Sequence, residues 1–167
     1  MKSDNPNDAI VQLSISDKET PHIALQLQNN HFKYPLFPTG DIMGIDLEVF
    51  DGNGTRYTVE IKRDNWIGKG NVMLEEYVGD GEKGWLLRYT GSNAPNFIVF
   101  YNDSITRVYQ WDILINLWKC LKLKPEGEYW RRKCGVQGNS KGQIIIIPDK
   151  YVKDALLGEY KTEPFVI

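Results

Sequence analysis

The sequence predicts a single domain of the α/β (α+β) class, in which a mixed central β-sheet is flanked by helices. Three observations support this fold class. The chain has 167 residues, enough for one substantial core but too few for two. Segments with helical spacing alternate with short β-branched or aromatic segments, and turn residues separate them. We therefore expect one domain over residues 1–167, with the polar segment 1–15 poorly ordered or peripheral.

The first predicted elements are a helix and a β-hairpin. In "TPHIALQLQNN", Thr20 is a suitable N-cap, Pro21 suits the first helical position, and Ile23, Ala24 and Leu27 share a face. A proline-rich connection, "YPLFPTGD", leads to two alternating segments around the turn "DGNGT". This alternation predicts an antiparallel hairpin.

The remaining elements follow in a regular order. "WIGKGNVMLEEYVGDGEKG" is rich in glycine, which predicts a short helix or an irregular segment. "GWLLRYT", "NFIVFY" and "ITRVYQW" are typical of strands, and "DILINLWKCLK" predicts a helix that begins near Asp112. "GQIIIIPDKYVKDALLG" predicts a buried strand followed by a helix from about Asp149 to Gly158.

Composition narrows the class of protein. Hydrophobic residues make up 41% and charged residues 25%, as in ordinary soluble domains. No apolar run has transmembrane length and the first residues lack the layout of a secretory signal, so we expect a cytoplasmic protein with no membrane partner. Cys120 and Cys134 fit no zinc spacing and are interpreted as reduced thiols.

The hairpin carries an unusual polar face. Ile45, Leu47 and Val49 alternate with polar residues, and the second strand repeats the alternation, so one face is core and the other is polar. Keeping "DGNGT" as the loop sets the register. The register predicts three opposed pairs: Phe50 with Arg56, Leu47 with Val59, and Asp46 with Glu60. Two carboxylates directly opposite each other repel, so we expect a positive charge between them.

A divalent cation and Lys62 would supply that charge. Mg²⁺ prefers oxygen ligands, so Asp46, Glu60 and the backbone carbonyl of Ile61 form a plausible half-shell. The metal would activate a bound water for phosphodiester hydrolysis, and Lys62 would act on that water and on the transition-state charge. Glu48 is either a further acid near the metal or a solvent-facing residue. A plain, salt-bridged outer face remains the alternative interpretation of the hairpin.

A second candidate site is the most cationic stretch, "WKCLKLKPEGEYWRRKCG". Aromatic residues are interleaved with its basic residues, which are Lys119, Lys122, Lys124, Arg131, Arg132 and Lys133. The net charge of -2 argues against binding of nucleic acid through bulk charge but allows such a local patch. A solvated helix end whose aromatic rings face the core is an equally good interpretation.

Asp46, followed by Glu60-Ile61-Lys62 after a turn, resembles the PD-(D/E)XK nuclease superfamily. The resemblance covers about residues 20 to 120, and "GN" followed by a glutamate is similar to a phage and bacterial nuclease-like group. It implies a restriction-endonuclease-like fold with an αβββαβ core, in which a helix precedes the catalytic hairpin. Ile45 departs from the pattern, since the family often has proline there.

The resemblance also implies an activity and its residues. The expected protein is a Mg²⁺-dependent DNA endonuclease, with Mn²⁺ able to substitute, in which Asp46, Glu60 and Lys62 are catalytic. Glu19 and Glu75 are candidate auxiliary acids. Cleavage of duplex DNA needs two active sites or two visits, so a homodimer is expected. The alternatives are a non-catalytic module on the same scaffold that binds nucleic acid or protein, and an unrelated α+β interaction domain.

Overall fold

The computed structural model describes residues 19–42, 45–64, 66–79, 81–134 and 142–162. The segment 1–15, which the sequence predicts to be peripheral, lies outside the described residues. Strands and helices both contribute to the described chain, so the predicted mixed class is confirmed.

A six-stranded mixed sheet is the centre of the fold. Its strands are β1 (Leu36–Ile42), β2 (Ile45–Phe50), β3 (Arg56–Arg63), β6 (Phe97–Tyr101), β7 (Ile105–Gln110) and β10 (Leu156–Lys161). They lie in the order β1-β2-β3-β6-β7-β10, and every pair is antiparallel except β3 with β6, which is parallel. The hairpin and the strands predicted in "NFIVFY" and "ITRVYQW" all belong to this sheet.

The other described strands form a second sheet, and none of them pairs with a strand of the first. The second sheet is antiparallel, with the order β5-β4-β9-β8. Its strands are β4 (Asn71–Gly79), β5 (Glu82–Lys83), β8 (Arg131–Cys134) and β9 (Gln143–Pro148). The expectation of a short helix or irregular segment in "WIGKGNVMLEEYVGDGEKG" holds for the short 3₁₀ helix Ile67–Lys69 but is wrong for residues 71–79, because pairing with the buried β9 makes them a long strand.

Three α-helices accompany the sheets in the part of the chain that the structure describes. They are α1 (residues 19–30), α2 (Trp85–Arg88) and α3 (Trp111–Lys122). The first helix and the helix near Asp112 are confirmed, although Thr20 lies inside α1 and so is not its cap. Within the residues described, no helix is both long enough and apolar enough to cross a membrane.

Tertiary contacts overrode local pattern in three segments. "GWLLRYT" forms α2 and not a strand, because one helical turn directs Trp85, Leu86 and Tyr89 into the same core cluster. The helix expected from Asp149 to Gly158 is replaced by two 3₁₀ turns and by β10, which pairs with β7. The proline-rich connection contains β1, where proline is tolerated because β1 is an edge strand.

Two hydrophobic clusters cover the two faces of the six-stranded sheet. On one face, Ile23 and Leu27 of α1 pack against Val59 and Ile61 of β3. On the other face, Ile98 and Phe100 of β6 belong to a larger cluster with residues of β4, β9, α2 and α3. Glu60 and Lys62 are opposite Ile98 and Phe100 in the parallel ladder, so their side chains point toward this second cluster.

Asp64 joins the two sheets where β3 ends. Its side chain is 1% exposed and accepts hydrogen bonds from the backbone N–H groups of Trp66, at 2.7 Å, and Met73, at 3.1 Å. The Asp64 carboxylate thus satisfies backbone N–H groups in the connection between β3 and β4 and in β4 itself. Truncation of the Asp64 side chain would leave these N–H groups without their acceptor.

We predict that Asp64→Ala lowers the free energy of unfolding by about 1–3 kcal/mol, because it leaves buried donors without an acceptor. The matched control is Asp51→Ala in the hairpin turn, where Asp51 accepts from the exposed N–H groups of Asn53 and Thr55. Water replaces the acceptor there, so the loss is smaller. Urea denaturation measures both, and equal losses would contradict the prediction.

Candidate functional site

The strand ladder contains two of the three pairs predicted for the hairpin, and the third, Asp46 with Glu60, lies beyond its end. Phe50 pairs with Arg56 and Leu47 with Val59, and the ladder between β2 and β3 ends at this second pair. Beyond it, the Asp46 carboxylate accepts a hydrogen bond from the Ile61 N–H at 2.7 Å. The side chain of Asp46 therefore occupies the place of the next backbone acceptor and is held at the end of the hairpin ladder.

Asp46 and Glu60 form a carboxylate pair, since the neighbouring Glu60 contributes to the raised pKa of Asp46. Burial raises the pKa of Asp46 from 3.8 to about 6, and the charge of Glu60 adds to this rise. The Ile61 N–H and the Lys62 ammonium oppose it only in part. Two carboxyl groups in this arrangement favour a bound cation or a shared proton.

The Glu60 carboxylate is more deeply buried than that of Asp46. Its side chain is 5% exposed, whereas that of Lys62 is 28% exposed. The Lys62 ammonium lies 2.6 Å from Oε1 of Glu60, and the Tyr89 hydroxyl donates to the same oxygen at 2.6 Å. Glu60 is thus held from two sides, and the ammonium is the more accessible group of this ion pair.

Tyr89 was not among the residues predicted from the sequence. It directly follows α2, and its ring lies below the Lys62 ammonium at 5.3 Å. Burial and the charge of Glu60 raise the pKa of its phenol, so the hydroxyl stays protonated and acts as a donor. The sequence carried no signal for this role, because "GWLLRYT" has the pattern of an apolar strand.

Glu48 pairs with a base at some distance from the carboxylate pair. Its Oε2 accepts from Nε of Arg56 at 2.6 Å, and the Arg56 side chain is 44% exposed. The structure therefore favours the second of the two interpretations of Glu48, a solvent-facing residue in a surface ion pair.

The auxiliary acids lie elsewhere. Glu19 accepts hydrogen bonds from Arg63 and from the Tyr101 hydroxyl. Arg63 and Tyr101 are paired positions on the α1 face of the sheet, which is opposite to the face of Glu60. Glu75 accepts from the Trp85 N–H at 3.2 Å. The structure does not bring Glu19 or Glu75 to the carboxylate pair.

The donor set at the pair suits a hard cation. In the described part of the chain, no group of three or more His, Cys, Asp or Glu side chains is placed to hold a metal. Mg²⁺ commonly uses only one or two carboxylates, with water and substrate phosphate as its other ligands. Glu60 is buried and Asp46 is partly buried, and their carboxylates are ligand groups of the type that Mg²⁺ uses.

The basic segment runs from α3 to the edge strand β8. Five of its six basic residues are exposed: Lys119, Lys124, Arg131, Arg132 and Lys133. Lys122 is instead paired with the buried Glu76 at 2.8 Å. Trp130 belongs to the core, and Lys122 and Arg132 lie over its ring. The aromatic ring thus faces inward, whereas these five cations are exposed at the surface.

The raised pKa of Asp46 makes a prediction for stability. Because the pKa of Asp46 rises from 3.8 to about 6 on folding, Asp46 makes a favourable contribution to the free energy of unfolding at low pH. This contribution is complete below pH 3.8 and is lost as the pH increases through 6. Asp46→Asn keeps an acceptor for the Ile61 N–H. Because asparagine does not ionise, the variant does not lose this stability as the pH increases. We expect it to increase the free energy of unfolding at pH 7.5 by up to about 3 kcal/mol and to reduce the dependence on pH. The part that stays is due to Asp64, because burial raises its pKa to about 6 as well.

Chemical denaturation between pH 4 and 8 in EDTA measures this effect. Asp51→Asn in the exposed hairpin turn is the matched control, because it makes the same chemical change outside the carboxylate pair. A wild-type slope retained in Asp46→Asn would show that Asp46 is not the group responsible.

Comparison with protein-family models, with curated proteins and with solved structures gave no match.

Proposed function

We propose that this protein is a Mg²⁺-dependent DNA endonuclease of the PD-(D/E)XK type. The observation that carries the proposal is the convergence of Asp46, Glu60 and Lys62 at the end of the hairpin ladder. A carboxylate pair is unfavourable for stability alone, and an adjacent lysine can stabilise the negative charge that develops in phosphodiester hydrolysis.

Asp46 and Glu60 would hold the metal together with the carbonyl of Ile61. In an extended strand, the N–H and C=O of one residue point to the same side. The Ile61 N–H points to Asp46, so the Ile61 carbonyl is directed to that side as well. A metal held by these residues would supply a water of lowered pKa and neutralise charge at the phosphorus.

Lys62 would contribute the mobile positive charge. Its ammonium is more exposed than the carboxylate it pairs with, so it can reach a phosphate oxygen while staying next to Glu60. A compact ammonium on a flexible stem suits both orientation of the attacking water and stabilisation of negative charge in the transition state.

The order of elements supports the same assignment. A helix, three antiparallel strands, a second helix and a strand parallel to β3 follow one another as α1, β1, β2, β3, α2 and β6. This is the αβββαβ order that the resemblance implies, with β4 and β5 inserted before α2. A homodimer would bring two such sites to the two strands of duplex DNA.

The principal test is Lys62→Ala. We predict a loss of at least about a hundredfold in kcat for cleavage of linear, supercoiled or branched DNA with Mg²⁺ or Mn²⁺. Arg56→Ala is the matched control, because it removes a cation from the other end of β3 and leaves the site intact. Cleavage that persists in EDTA, or that Lys62→Ala does not slow, would exclude the proposed mechanism.

The exposed cations of the basic segment would contact the phosphate backbone. We predict that Lys124→Ala and Arg131→Ala each weaken DNA binding and lower the slope of log affinity against log salt by about 1. Lys153→Ala, which removes an exposed lysine outside the segment, is the control. Fluorescence anisotropy over a salt series measures the slopes, and unchanged slopes would remove this segment from the DNA interface.

The second candidate is a non-catalytic module that binds nucleic acid or protein. The deep burial of Glu60 under the second core cluster favours it, since Lys62 and Tyr89 already satisfy that carboxylate as in a structural ion pair. DNA binding that is unaffected by Lys62→Ala, without cleavage of any substrate, would support this module. Absence of both DNA and metal binding would support an unrelated interaction domain.

A further inference from the structure

Tyr89 is the neighbour of Glu60 that the proposed mechanism does not use. We propose that Tyr89 is a positioning residue, which orients the Glu60 carboxylate for metal binding through its hydroxyl. The inference rests on the proposed function and extends it to the α2 region, which carries no residue of the Asp46, Glu60 and Lys62 set.

The contacts of Glu60 support an orienting role. The Tyr89 hydroxyl and the Lys62 ammonium both meet Oε1 of Glu60, each at 2.6 Å. Two donors on one oxygen set the rotation of the carboxylate group, and they make the other oxygen, Oε2, the one offered to a metal. Hydrogen bonds of this kind to metal-binding carboxylates orient the ligand.

Packing holds the Tyr89 hydroxyl in place. The residue is 5% exposed, and its ring is stacked with Trp85 at a centroid distance of 6.0 Å and lies 5.8 Å from the ring of Trp111. A side chain locked by neighbouring rings can orient a ligand with little loss of its own freedom. The rings come from α2 and from the first residue of α3, so non-local packing sets the position of the donor.

The same residue also touches Lys62. Its ring lies 5.3 Å below the ammonium, a distance typical of a cation–π contact. Tyr89→Phe keeps this ring and its packing and removes only the hydroxyl. The variant therefore separates the orienting hydrogen bond from the contact with Lys62.

The chain offers a closely matched control in Tyr101. Its hydroxyl also donates to a glutamate, Glu19, and it is also buried, but it lies on the α1 face of the sheet. Tyr101→Phe makes the same chemical change at the same kind of contact. A purely structural hydroxyl would have similar consequences at both positions.

The test measures binding of Mn²⁺ alone by titration calorimetry, well below the unfolding midpoints, together with kcat and KM for DNA cleavage. We expect Tyr89→Phe to weaken Mn²⁺ binding and to lower kcat by about tenfold or more, with KM for DNA little changed. Tyr101→Phe should bind Mn²⁺ and cleave DNA like the wild type. Trp111→Phe, which loosens the packing of Tyr89 but keeps its hydroxyl, should have an intermediate effect.

The outcomes separate this inference from the proposed function. If the wild type binds Mn²⁺ and cleaves DNA but Tyr89→Phe does the same, or weakens no more than Tyr101→Phe, the role of Tyr89 is refuted and the nuclease stands. If the wild type neither binds Mn²⁺ nor cleaves DNA, the proposed function fails and the inference fails with it. Thermal unfolding of each variant verifies that it is folded.

Discussion

The parallel pairing of β3 with β6 is the constraint on which the rest of the structure depends. Antiparallel neighbours can be joined by a tight turn, but parallel neighbours need a long connection that returns the chain to the starting end of the sheet. Here that connection contains β4, β5 and α2, which form part of the second sheet and the core cluster beneath it. The pairing therefore creates the layer that buries one face of β3.

That layer has a direct effect on the candidate site. Glu60 points into the buried face, so its charge must be compensated locally, and Lys62 and the Tyr89 hydroxyl provide the compensation. Asp46 lies at the end of the hairpin ladder, next to Glu60, and its pKa rises because burial and the neighbouring carboxylate both disfavour its charge. Two neighbouring carboxylates lower the stability of the fold, so stability does not explain their presence. This cost is the physical reason why we propose a functional role for the pair.

The two faces of the central sheet have separate polar networks. Glu60, Lys62 and Tyr89 lie on the side of the second sheet, whereas Glu19, Arg63 and Tyr101 lie on the side of α1. Each network has one glutamate, one base, one tyrosine and a second acid. The second acid of the α1-side network, Asp103, pairs with Arg63 at 2.8 Å and its side chain is 85% exposed, whereas Asp46 is partly buried beside Glu60 and has a raised pKa. This difference distinguishes a candidate site from a surface ion pair with similar members.

The sequence by itself determined the hairpin register, the polar face of the hairpin and the pairing of its apolar residues, because alternation and turn length are local properties. It also indicated α1 and α3 from their helical periodicity and the buried strand β9 from its continuous apolar run. Only the tertiary structure decided that Tyr89 reaches Glu60, that Glu19 lies on the opposite face, and that residues 156–161 extend the sheet as β10. These features depend on contacts between distant segments, where pairing and burial outweigh the local preference of the chain.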